Sequence, residues 1–280
     1  MTQTNNPLRK HFRQAAIYLK LPSAGKFYPS GSIIMPDNNE LPVLPMTAID
    51  EITGRTPDAL FNGTAVAELV QSCVPNIKDA WAAPVTDFNA LLVAIRLASY
   101  GHSMEIGTVC PKCNASHSID IDLRIVLDSL KAPDYDKSIT DGDLTFYFAP
   151  MSYKQVNENS QLSFEDQKTI QQLASSEIDE NEKLTKLGAA FRRITEATIK
   201  SIAQSISAVK TADAMVTETA HIQEFLHNCA KSTFESIKTH AIALRAATEL
   251  PPINVTCDAC QHEYKQEFTL DMSNFFETAS

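Results

Sequence analysis

The sequence predicts an α+β protein, mainly helical, with one small β module whose two parts lie far apart in the chain. Three observations predict it. Residues 47–100 and 151–250 repeat apolar side chains at helical spacing. Two stretches, IGTVCPKCNASHSIDIDL (106–123) and INVTCDACQHEYKQEFTL (253–270), instead alternate around a C-x-x-C pair. These stretches match in spacing and residue class at a constant offset of 147 residues: Ile106 with Ile253, Cys110 with Cys257, Cys113 with Cys260, His117 with Tyr264, Ile121 with Phe268 and Leu123 with Leu270.

Residues 1–46 are rich in Pro, Gly and Asn, in LPSAGKFYPSG and MPDNNELPVLP. Such punctuation suits turns and extended chain, so the expectation is an arm anchored by Tyr18, Leu19, Leu21, Phe27 and Tyr28. Residues 47–103 read as helices. Thr47 can cap one that ends near Gly54, Thr56-Pro57 opens another, and Thr64 can cap AVAELVQSCV. Thr86 can cap DFNALLVAIRLASY before Gly101, with Phe88, Leu91, Leu92, Ile95 and Ala98 on one stripe.

Residues 104–150 form the first half of the β module, SIDIDLRIVL and DLTFYFA being strand signals before Pro150. Residues 151–250 return to helix. QVNENSQLSFEDQKTIQQLASSEIDENEK is a polar helix or hairpin, and GAAFRRITEATIKSIAQSISAV is amphipathic through Ile194, Ile199, Ile202 and Ile206. From Thr217 a single long helix is expected up to Pro251-Pro252, with Ile222, Phe225, Leu226, Cys229, Ile237 and Leu244 on its apolar face. Residues 251–280 supply the second cysteine hairpin and a tail with Phe275-Phe276.

A C-x-x-C turn between extended segments aims two sulfurs at one point, which is half of a tetrahedral metal site. Cys110, Cys113, Cys257 and Cys260 together complete it, so the expected cofactor is one structural zinc ion in a split ribbon. Loop closure grows costlier only slowly with length, so the long insertion between the halves is tolerable. A redox pair sits where a strand enters a helix, and both pairs here run into alternating sequence. Ligand type alone leaves an iron–sulfur cluster open. A closed shell of thiolates has no position for water, so the site is structural, and His117 and His262 belong at most to its surroundings. Cys73 and Cys229 read as small buried hydrophobes.

Composition narrows the function. With 280 residues, 44% of them hydrophobic, the chain can build a sizeable core. A net charge of −10 with scattered bases argues against nucleic acid. The longest apolar run, Ala90 to Ile95, is too short to cross a bilayer, and the N-terminus has no signal core. Synthesis and folding in the cytoplasm are expected. No G-x-x-x-x-G-K-[ST], H-E-x-x-H or G-x-S-x-G occurs, and no catalytic residues are assigned.

YLKLPSAGKFYPSG (18–31), with Leu21, Pro22, Ser23, Gly25, Tyr28 and Pro29, resembles the N-terminal signature of baseplate hub proteins of T-even-like contractile-tailed bacteriophages. The order of CPKC (110–113), FYFAPMSYKQVNENS (146–160) and a late second cysteine pair is also similar. The resemblance implies a structural part of a virion's tail baseplate, made in the host cytoplasm and bound to other tail proteins; a homo-oligomer is compatible with it. On this reading Leu21, Pro22, Gly25, Phe27 and Tyr28 of the arm dock to a neighbour. The alternatives are a transient tail or hub assembly chaperone absent from finished particles and, less in keeping with the residues, a tail-associated enzyme.

Overall fold

The computed structural model describes residues 6–54, 62–175, 179–250 and 252–267. The expected helix start at Thr56-Pro57, the matches at Phe268 and Leu270 and the Phe275-Phe276 tail lie outside them. The chain divides into two units: Met1–Ala80, Asp87–Leu130 and Leu250–Ser280 form the first, and Trp81–Thr86 with Lys131–Glu249 the second.

In the first unit the arm is not simply extended. Strand β1 (Ile17–Leu19) pairs antiparallel with β2 (Leu41–Val43), with Leu19 opposite Leu41. Leu19, Leu41 and Val43 are all buried, so each three-residue strand turns apolar positions inward. Arg13 then ties the arm down. Its guanidinium donates to the carbonyls of Pro45 (2.6 Å) and Ser72 (2.8 Å) and pairs with Asp50 at 3.0 Å. Helices α1 (Ala48–Gly54), α2 (Thr64–Cys73) and α3 (Val85–Tyr100) follow, the last contributing to this unit from Asp87 onward. Gly63, at φ 77°, takes the N-cap place expected of Thr64, which is the first residue of α2 instead. Gly101, at φ 86°, ends α3 as a C-terminal glycine should. Val66, Val70, Phe88, Leu91, Leu92 and Ile95 are buried along α2 and α3.

Two antiparallel hairpins complete this unit: β3 (Ser103–Val109) with β4 (Ser116–Asp122), and β9 (Ile253–Thr256) with β10 (Glu263–Gln266). The alternation in SIDIDLRIVL stops at Asp122, whose carboxylate accepts from the Arg124 N–H at 2.9 Å and caps α4 (Leu123–Ser129).

The second unit is built on a four-stranded antiparallel sheet in sequence order: β5 (Ile139–Asp141), β6 (Leu144–Phe148), β7 (Ile206–Lys210) and β8 (Met215–Val216). Gly142 at φ 58° makes the β5–β6 turn. Its helices are α5 (Tyr153–Ser175), α6 (Glu180–Ser205), α7 (Thr219–Asn228) and α8 (Lys231–Ala246). Phe146 and Phe148 of β6 pack with Ile199 and Ile202 of α6, Ile222 and Leu226 of α7 and Ile237 of α8.

Two expected helices are shorter than their periodicity suggests. The amphipathic helix stops at Ser205, and Ile206, buried as expected, opens β7 between β6 and β8. The helix from Thr217 breaks at Cys229 and Ala230, both extended (ψ 164° and 147°). A straight helix would carry one stripe along its length; the break lets Ile222 and Ile237 reach the same core.

Candidate metal centre

The C-x-x-C turns reproduce each other bond by bond. Cys110 N–H donates to the Ala115 carbonyl at 3.0 Å, and Asn114 N–H to the Cys110 carbonyl at 2.9 Å. In the second turn Cys257 N–H donates to the His262 carbonyl at 2.9 Å, and Gln261 N–H to the Cys257 carbonyl at 2.8 Å. Asn114 and Gln261 take the left-handed conformation that closes each turn, at φ 56° and 55°. The strand registers agree as well: Val109 faces Ser116, and Thr256 faces Glu263.

The two turns meet. Sγ of Cys110 lies 3.7 Å from Sγ of Cys260, and Sγ of Cys113 lies 3.6 Å from that of Cys257. All four sulfurs fall within 4.8 Å of one another. An ion at ~2.3 Å from four tetrahedral thiolates would space them by about 3.8 Å, so the set could hold one metal ion. Cys110 and Cys257 are fully buried, whereas Cys113 is exposed at the tip of its turn.

Burial alone would raise the Cys110 thiol, but N–H groups of Cys113 and Lys112 and the thiols of Cys113 and Cys257 bring it down to about 6. At Cys260 the His262 N–H favours the thiolate, yet burial and the three neighbouring cysteines outweigh it and push that thiol up. One thiolate forms readily here and the last resists, as like charges gathered in one place should.

A polar ladder beside the sulfurs joins the hairpins independently. The hydroxyl of Thr108 lies 2.9 Å from that of Tyr264 and donates to Gln266 Oε1 at 2.7 Å. The Tyr264 hydroxyl also lies 3.2 Å from His117 Nε2. His117 is thereby engaged away from the cysteine set, and neither it nor His262 belongs to the set. Thr108 and Gln266 carry no motif; the one signal in sequence was that His117 and Tyr264 occupy matching places in the repeat.

The arm residues are placed differently from one another. Leu21 is buried, Pro22, Gly25 and Tyr28 are half-buried, and Phe27 is 40% exposed. Asp87, in the first turn of α3 and fully buried, gathers the turn. It accepts from the Ser23 N–H at 2.8 Å and from the Ser23 hydroxyl, and the Tyr28 hydroxyl faces it. Gly25 sits at φ 79°, and a Cβ there would meet Met35 Sδ at 3.0 Å, so glycine is required. Asp87 was not foreseen, because Ser23 and Asp87 lie 64 positions apart.

A sequence family described as T4 bacteriophage base plate protein matches residues 44–277. The chain belongs to that family. The match takes in both cysteine pairs of this base plate protein and begins after the arm turn at 18–31. No curated protein and no solved structure matches it. Membership puts the base plate protein among the components of a phage tail, with other tail proteins as its neighbours. Among its described residues no helix is long and apolar enough to cross a membrane.

Proposed function

We propose that this base plate protein is a structural part of the hub region, held in shape by one zinc ion and bound to neighbouring tail proteins in assembly and in the particle. The observation that carries the zinc is the meeting of four sulfurs from two identical turns within 4.8 Å. Cys110, Cys113, Cys257 and Cys260 would be its ligands. Four thiolates suit zinc and fill its shell, so the ion would tie one hairpin to the other and leave no site for substrate. The function is accordingly structural, with no catalytic step.

Docking belongs to the arm turn. Burial of Leu21 and the grip of Asp87 on Ser23 fix the turn, and Phe27 stands exposed on it. Phe27 holds φ 69°, a conformation that a bulky side chain takes only where its surroundings enforce it. Pro22, Gly25 and Tyr28 shape the turn that presents it.

The test has two arms. Elemental analysis of protein purified without added metal should give one zinc per chain, lost in Cys113→Ser and Cys260→Ser; a well-folded chain without metal overturns the site. Mass spectrometry of purified virions should find the chain in finished particles, and Phe27→Ala should lower its incorporation without changing its far-UV circular dichroism. Absence from the particle rejects the structural role in favour of a transient assembly factor.

A further inference from the structure

Charge is divided unevenly along this chain. Residues 1–36 hold five bases (Arg9, Lys10, Arg13, Lys20 and Lys26) and no acid, which leaves a net −15 on the remaining residues of a chain whose total is −10. Arg13 is taken by Asp50, and Lys20 lies 3.5 Å from Glu40. Arg9 and Lys10 stand exposed and meet no carboxylate among the described residues. They lie in a 3-10 turn, Pro7–His11, held at both ends: the Leu8 N–H donates to Asn6 Oδ1 at 3.0 Å, and the Phe12 N–H to the Arg9 carbonyl at 3.1 Å. Side chains three apart eclipse in such a turn, so Arg9 and Phe12 point the same way, about 6 Å apart along its axis. Phe12 is 56% exposed, so a cation and a bare ring share one face in water.

The β3–β4 hairpin, in the same unit, has a complementary face. Its inner side turns Thr108 and His117 toward Tyr264. On its outer side Glu105 stands opposite Asp120, Gly107 opposite Ser118 and Val109 opposite Ser116, and all six are exposed. Two acids directly across a strand pair repel each other. Neither has a basic partner among the described residues: Asp120 accepts from the Ser103 hydroxyl at 3.1 Å, Arg124 is already paired with Asp122 at 2.6 Å, and Lys112 stands in the turn at the far end of the hairpin. Gly107, one step along the same face, is not explained by the chain itself. Its φ is not positive, and an added Cβ would meet nothing within 4 Å. A glycine inside a strand weakens it and marks a place where another group comes close. Glu105 and Gly107 are about 7 Å apart along the strand, close to the spacing of Arg9 and Phe12.

We propose that the N-terminal 3-10 turn of one copy docks on the outer face of the β3–β4 hairpin of a second copy. Arg9 lies against the Glu105 and Asp120 carboxylates, Phe12 covers Gly107 and Ser118, and Lys10 on the next face of the turn adds to the attraction. The occupant is a second copy because every chain carries both halves of the contact, an acid-free arm and an acidic sheet face, and leaves both in water. Two different surfaces meet, so the contact builds a ring or a string of chains rather than a twofold pair. It uses none of the four cysteines and nothing of the arm turn from Leu21 to Tyr28, and so stands apart from the zinc and from docking at Phe27.

Sedimentation equilibrium of the purified full chain at tens of micromolar and low salt should give masses of at least twice the 30.8 kDa of one chain, falling as salt is added. Arg9→Glu with Lys10→Glu reverses the arm, and Glu105→Lys with Asp120→Lys reverses the hairpin face. Each double variant should raise the dissociation constant about tenfold or more by setting like charges together, while far-UV circular dichroism and metal content stay unchanged. Mixed in equal amounts the two should associate again, because the reversed arm of one meets the reversed face of the other. Phe12→Ala keeps every charge and should weaken association about fivefold or more. A wild-type chain of single mass, any of these variants associating as wild type does, or a mixture that stays monomeric overturns the proposal.

Discussion

At Asp87 a carboxylate is withdrawn from water at the start of α3, and burial raises its pKa to about 6 even though Ser23 and Tyr28 favour the charged form. In the unfolded chain it returns to the ordinary value of 3.8. Between those values the folded protein holds a proton that the unfolded chain has released. Its contribution to stability is complete below about pH 4 and is lost as pH rises through about 6. Two pKa units correspond to on the order of 3 kcal/mol. Asp87→Asn carries no such titration. The fall in urea-unfolding free energy from acidic to neutral pH should therefore be smaller in Asp87→Asn than in wild type, and equal slopes would refute burial as the cause. Of the arm signature, then, Leu21, Ser23, Gly25 and Tyr28 serve the turn itself, and Phe27 within it is 40% exposed.

Among the elements, the two cysteine hairpins are joined by sulfur and by the ladder of Thr108, Tyr264, Gln266 and His117. Tyr264→Phe keeps the ring and deletes the shared hydroxyl, at a cost of about 1 kcal/mol. It should lower the melting temperature yet retain full metal content, and loss of the metal would show that the ladder is part of the site. These hairpins were legible because strict alternation and a repeated C-x-x-C mark both ends of each turn. Helices α1 and α3 were legible through Thr47 and Gly101 at their boundaries. The break after α7 was not, since no Pro or Gly occurs near Cys229 and Ala230; distant contacts with Phe146 and Phe148 decide it. ISAV likewise reads as helix until β6 is beside it to accept a strand. The pairing of β1 with β2 joins three-residue strands across a long turn-rich segment, too short for any period to register. The metal set could be read from spacing, whereas Asp87 and the polar ladder depend on residues that meet only in the fold.

For the whole molecule, the cysteines tie residues that lie 144 positions apart, Cys113 and Cys257. If the set holds the proposed zinc, a chelator under reducing conditions should release the β9–β10 hairpin and speed proteolysis within residues 250–267 roughly tenfold or more. Trp81, the single tryptophan, stacks on Tyr153 in the second unit with ring centroids 5.3 Å apart, and its emission should stay constant meanwhile. Cleavage at the same rate with and without metal would sink the idea of a staple. The same separation sets a clock during synthesis. A ribosome adding roughly 5–20 residues each second takes about 7 to 30 s to travel from Cys113 to Cys257. Throughout that interval the early turn is a half-made ligand set, and by its end every residue of the second unit, which ends at Glu249, has been translated. The ring of sulfurs can therefore close only once the whole insert it spans has been made.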